Sequence, residues 1–141
     1  MARTHIRLRV MVIPTVLMGL AACLVSNLQE APVLVEFHRS GGIAGVDEHL
    51  VVRSDGTAQL TRDRRAAAPV QVATDAMVRL RATLADIDFG RFDKEYLSQR
   101  GADLFQYEVV YQGRSVRTDD MAMPPSLVPL IDQLAAIVGA N

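Results

Sequence analysis

The sequence predicts an α+β domain: a mainly antiparallel sheet of four or five strands, in the order βββ-α-ββ-α, with two helices packed on one face. Three observations carry this expectation. Apolar and polar residues alternate in several short runs, the period-two mark of a half-buried strand. Glycine-bearing turns separate those runs at hairpin length. Two longer stretches instead repeat apolar residues every three or four positions, the spacing of an amphipathic helix. Hairpins rather than crossovers join the strands, so the sheet should be antiparallel and the helices should cover the same side.

The elements follow in order. Val33, Val35 and Phe37 alternate with Leu34, Glu36 and His38 and predict the first strand. Ser40-Gly41-Gly42-Ile43-Ala44-Gly45 reads as a glycine-rich break. Glu48 to Arg53 is the second strand, with Leu50 and Val52 on one face, and Ser54-Asp55-Gly56 turns the chain into Thr57 to Arg62. Residues 63–69 read as a connection and Val70 to Val72 as a short edge strand. Thr74 or Asp75 is expected to cap a helix whose buried stripe is Met77, Leu80, Leu84 and Ile87. Phe89 to Ala102 is expected to be irregular. Phe105, Tyr107, Val109 and Tyr111 share a face of the next strand, and Gln112-Gly113 turns it into Arg114 to Thr118. Ser126 is expected to cap the last helix, with Pro129 in the first turn, where no amide hydrogen is needed. Leu127, Leu130, Ile131, Leu134, Ile137 and Val138 form its buried stripe.

Ahead of this domain lies a leader. Arg3, Arg7 and Arg9 are followed by an almost wholly apolar run from Val10 to Leu20 and then by Ala21-Ala22-Cys23. Basic start, apolar middle and small-residue end are the layout of a secretion signal. The apolar run would span only about 20 Å as a helix, short of a hydrocarbon core of about 30 Å, and Pro14 interrupts it. Leu-Ala-Ala-Cys resembles the lipobox of bacterial lipoproteins. That resemblance implies residues 1–22 as a signal peptide, lipid on Cys23, and residues 23–32 as a short linker to a single domain at 33–141. It places the domain outside the cytoplasm, lipid-anchored to a bacterial membrane, either cytoplasmic or outer.

Composition narrows the function classes. The chain has 141 residues, 50% hydrophobic and 22% charged, enough for one packed core. Without Arg3, Arg7 and Arg9 the 15 basic residues become 12 against 16 acidic ones, a balance unlike that of a nucleic-acid binder. Trp is absent and aromatics are sparse, so base- or sugar-stacking platforms are not expected. The single cysteine excludes an internal disulfide and a Cys-rich zinc site.

Reactive groups form no catalytic set in the sequence. His38 and His49 fall on the two arms of one hairpin, with Glu36 and Glu48 nearest in sequence as further metal ligands; the plain reading is a solvated strand face. Asp119-Asp120 lacks the ligand spacing of a calcium loop. No Gly-x-Ser-x-Gly and no His-Glu-x-x-His is present. No enzyme activity, cofactor or resident metal is expected. The glycine-rich segment Ser40 to Gly45 has no basic residue and no following helix, so it is not a phosphate loop. Its alternatives are an ordinary hairpin loop and a narrow backbone surface, tipped by Ile43, that enters another protein's cleft.

Val35-Glu-Phe-His-Arg-Ser-Gly-Gly-Ile-Ala-Gly-Val46, Leu84-Ala-Asp-Ile-Asp-Phe89, Gly101-Ala-Asp-Leu-Phe-Gln-Tyr107, Tyr111-Gln-Gly-Arg-Ser-Val116 and Pro125-Ser-Leu-Val-Pro-Leu-Ile131 together resemble the emfourin family, protein inhibitors of thermolysin-like metallopeptidases. The resemblance runs from about residue 33 to 138. It implies a non-catalytic binder of a secreted or surface zinc peptidase, with Ser40, Gly41, Gly42, Ile43, Ala44 and Gly45 as the partner-binding segment. The competing expectation is a structural or assembly lipoprotein that binds envelope proteins through an exposed sheet edge or the 89–103 segment.

Overall fold

A computed structural model describes residues 30–99, 101 and 103–140. The leader, Cys23 and residues 24–29 lie outside the described residues. Eight strands and two α-helices form an α+β domain around one sheet: β1 (Val33–Gly41), β2 (Val46–Arg53), β3 (Thr57–Arg62), β4 (Arg65–Ala66), β5 (Val70–Gln71), α1 (Thr74–Asp86), β6 (Glu95–Tyr96), β7 (Phe105–Tyr111), β8 (Arg114–Asp119) and α2 (Val128–Gly139). The sheet order is β4-β3-β2-β1-β7-β8-β6, with β5 also pairing β3. Every pairing is antiparallel except β6 with β8.

The expected count of four or five strands is corrected to eight, and the order gains strands on both sides of α1. The five long strands are those that alternation predicts. The other three, β4, β5 and β6, are two residues each; β5 falls within the short edge strand expected at Val70 to Val72, and β4 and β6 are additions. Two residues cannot display a hydrophobic period, so β4 and β6 are visible only once the neighbouring strand is in place. The connection at 63–69 therefore contains β4, folded back on β3 through Asp63 and Arg64 at φ 47° and 65°. The irregular segment after Phe89 contains a 3-10 turn at Phe89–Arg91 and then β6.

One face of the sheet carries the core. Its cross-strand rows are Ala58–Val52–Val35–Tyr111 and Leu60–Leu50–Phe37–Val109–Val116. Against them pack Met77, Leu80 and Leu84 of α1 and Leu127, Leu130, Ile131, Leu134, Ile137 and Val138 at α2, all buried in one cluster. The last of these sets is the predicted stripe in full. The caps differ from expectation. Ala73 precedes α1 without a side-chain bond, and Thr74 is already helical. Leu127, wholly buried, holds the position before α2, leaving Ser126 exposed one residue earlier. Burying Leu127 contributes about 2 kcal/mol, more than a serine cap contributes, so packing sets this helix start.

Both outer long strands are shielded. β3 is flanked by β4 and β5, and β8 pairs with β6 at Arg117 and Thr118. Short flanking strands of this kind blunt a sheet edge against further pairing.

Candidate functional site

The β1–β2 turn stands at one end of the sheet. Strand β1 runs further than the sequence suggests: Ser40 and Gly41 still pair, with Asp47 and Val46 on one side and Gln106 and Phe105 on the other. The break is therefore only Gly42-Ile43-Ala44-Gly45. Its backbone is closed by Gly45 N–H donating to Gly42 O at 3.0 Å and fastened to the sheet by Gly42 N–H donating to Leu104 O at 3.2 Å. Ile43 is 92% exposed, the most exposed large hydrophobic side chain described.

The turn has a built support. The third cross-strand row on the inner face is polar: Arg62–Glu48–Arg39–Tyr107–Thr118. Arg39 Nε donates to Glu48 Oε2 at 2.8 Å and Arg62 Nε to Glu48 Oε1 at 2.7 Å. Arg62 also donates to Val138 O at the last turn of α2, where a cation meets the negative end of the helix. Burial pushes the Glu48 carboxyl up, but the hydrogen bonds from Arg62 and Arg39 outweigh this and hold it below the usual range. The Arg39 guanidinium lies 5.5 Å from the centre of the Phe105 ring. Phe105 in turn sits against Gly42: a Cβ at position 42 would lie 2.8 Å from its ring carbons. Arg39, Phe105 and Gly42 thus stack, and the tip rests on a charge-paired base.

A second turn sits at the same end. Asp119 closes β8 and is buried, and its carboxylate gathers four donors: Ser98 N–H and Ser98 Oγ–H on Oδ2, Met121 N–H and Ala122 N–H on Oδ1. Burial pushes this carboxyl up, and the bonds from Ser98, Ala122 and Met121 more than reverse that, leaving it below its ordinary range. Asp120 accepts from Phe105 N–H at 2.9 Å and from the Tyr107 hydroxyl at 2.7 Å. Burial and that carboxylate both push the Tyr107 phenol well above its usual value. In sequence Asp119-Asp120 offers only a turn or a loose calcium contact after the last strand. No strand period gives this away: β8 sets Val116 and Thr118 inward, so Asp119 falls on the opposite phase, and its burial comes with the contact to Ser98, 21 residues earlier in the chain.

The two histidines are direct cross-strand partners on the outer face, with ring centres 6.2 Å apart. His38 Nε2 lies 2.7 Å from Asp47 Oδ1, and His49 Nε2 lies 3.2 Å from Glu36 Oε2. Glu48 is not with them. It shares the inner face with Leu50 and Val52, so it is removed as a ligand candidate, as period two along β2 requires. Among the described residues no group of three His, Cys, Asp or Glu is placed to hold a metal ion. No described helix is long and apolar enough to cross a membrane.

Compared with known proteins, the sequence matches no family model, and no curated protein matches it significantly.

Proposed function

We propose that this protein is a membrane-tethered inhibitor of a thermolysin-like zinc metallopeptidase, acting by non-catalytic binding at the active-site cleft. The observation that carries the reading is Ile43: a large apolar side chain, 92% exposed, on a four-residue turn whose backbone is fixed on both sides. Exposing it costs the solvation of its apolar surface, and a fixed turn lets it enter a pocket without a further ordering cost. The emfourin-like sequence segments supply the partner class. The lipobox-like Cys23 supplies the tether, which gives a high effective concentration at the membrane.

The topology fits a tether. Pro32 O accepts from Ser54 N–H, so the described chain enters beside the β2–β3 turn, at the end of β1 opposite the tip. The nine residues of β1 carry the chain roughly 30 Å to Gly41. A lipid ahead of Glu30 would leave Ile43 facing away from the membrane.

The test is an inhibition assay with the soluble domain beginning at Leu24 against a panel of thermolysin-like peptidases. Micromolar or tighter inhibition, lost in Ile43→Asp, is the expected result; no slowing of any peptidase at micromolar protein discards the reading. The assembly-lipoprotein alternative would use a free sheet edge or the 89–103 segment; β4, β5 and β6 occupy parts of both edges, which leaves the segment as its main surface.

A further inference from the structure

A specific protein interface buries about 800 Å² on each partner, drawn from about 20 to 30 residues. The four residues of the Gly42–Gly45 turn fall well short of that, so a cleft partner must touch more of this end of the sheet. Ile43 has apolar company there. Met121, 66% exposed, follows β8 in the turn fastened by Asp119, and Leu97, 38% exposed, precedes the serine that donates to the same carboxylate. The start of β7 joins the two regions: Leu104 O takes the amide of Gly42, and Phe105 exchanges backbone and side-chain bonds with Asp120. From β1 to β8 is two strand spacings, which with the turns puts the tips roughly 10 to 15 Å apart.

We propose that the docking surface is two-pronged: Ile43 on one turn and Met121 on the other, with Leu97 beside it, engage the same partner. This rests on the reading of the tip as the part that enters a peptidase cleft, and it extends that reading to the wall of the cleft. Two features suit Met121 to the role. Its unbranched thioether adapts to an irregular apolar surface. Its backbone is held by the Asp119 carboxylate through its own amide and through Ala122, so contact does not have to order the turn. Asp119 is buried within its own strand end, and the exposed part of the turn is the methionine.

The test uses the full chain in detergent micelles with thermolysin as the first probe and related zinc peptidases after it. Met121→Ala is expected to raise the inhibition constant about tenfold, the effect of a moderate hot spot, and Met121→Glu to raise it further. Val78→Ala is the matched control: Val78 is 62% exposed, but on α1 beside the Asp55–Gly56 turn at the other end of the sheet, and its loss should leave inhibition unchanged. Thermal unfolding of each variant checks that the fold is retained. If Ile43→Asp abolishes inhibition while both Met121 variants inhibit like the parent, the surface is the tip alone and the two-pronged proposal is overturned with the inhibitor reading intact. An equal loss in Val78→Ala also overturns it. If the parent chain inhibits no peptidase, both proposals fall together.

Discussion

The two turns at the ends of β2 both rely on glycine and solve opposite problems. At one end Ser54-Asp55-Gly56 is tied from every side. Val72 N–H donates to Gly56 O at 3.0 Å, Gln71 Nε2 donates to Asp55 O at 3.0 Å, Thr57 N–H donates to the Asp55 carboxylate, and Arg81 reaches Ser54 O. Gly56 is buried beneath this cover. At the other end Gly42-Ile43-Ala44-Gly45 has its backbone fixed by two hydrogen bonds, and no contact covers Ile43. The first turn consumes its polar groups inside the domain. The second leaves an apolar side chain in water on a rigid base. Rigidity alone does not separate structure from recognition; what separates them is whether the fixed atoms face the protein or the solvent.

Ile43→Asp gives the largest effect expected from that contrast. Burying a charge where a pocket expects a branched aliphatic side chain should cost about 3 kcal/mol of binding, more than a hundredfold in the inhibition constant. Thermal stability should stay within about 3 °C, because surface changes away from structural features lie within about 0.5 kcal/mol. A comparable fall in stability would mean that the tip belongs to the fold, and the contrast would collapse. Gly42 is the wrong residue for this experiment, since any Cβ there strikes the Phe105 ring.

The opposite turn should respond to the opposite change. Gly56→Ala places a methyl group at φ 87°, a backbone state that costs an L-residue about 1 to 2 kcal/mol. The new Cβ would also stand 2.4 Å from Gln71 Nε2, so that side chain must leave Asp55 O at a cost of about 1 kcal/mol. A loss of about 2 to 3 kcal/mol in urea denaturation is expected, with the slope of the transition and the inhibition constant unchanged. Altered inhibition without altered stability would reverse the roles assigned to the two turns.

Alternation made the long strands legible, and helical spacing made the α2 stripe legible, because both patterns are written in side chains that the core must bury. Glu48 shows where such reading stops short. In sequence it groups with the histidines as a ligand although its period with Leu50 and Val52 points inward, and what makes an inward carboxylate tolerable is Arg39 on β1 and Arg62 on β3, which depends on register. Ser40 and Gly41 looked like loop for the same reason. Small and polar residues carry no strand signal, and only pairing on both sides makes them strand. The support under Ile43 was illegible because Phe105 and Gly42 are more than sixty residues apart in sequence. The start of α2 is misjudged because a buried leucine outweighs a serine.

The turn after β8 combines both designs and tests whether they are separable. Met121 faces solvent, while the Asp119 carboxylate ties the turn from within, as neighbours tie Gly56. Asp119→Asn keeps the shape and removes the charge. One oxygen becomes an NH₂ group facing N–H or O–H donors, so about 2 kcal/mol of stability should be lost at neutral pH. The pH dependence gives an independent sign. Because Asp119 is held below its ordinary range, its contribution is fully present above the unfolded-state value of about 3.9 and disappears as pH falls through the lower folded value. Glu48 behaves in the same sense. The parent chain should therefore lose stability progressively below about pH 4, and the Asn variant, with one fewer depressed carboxylate, should lose less over the same interval. Urea denaturation at stepped pH reads this as two curves that converge on the acid side. Parallel curves would mean that the Asp119 charge contributes nothing, and the hold on Met121 would have to come from backbone geometry alone.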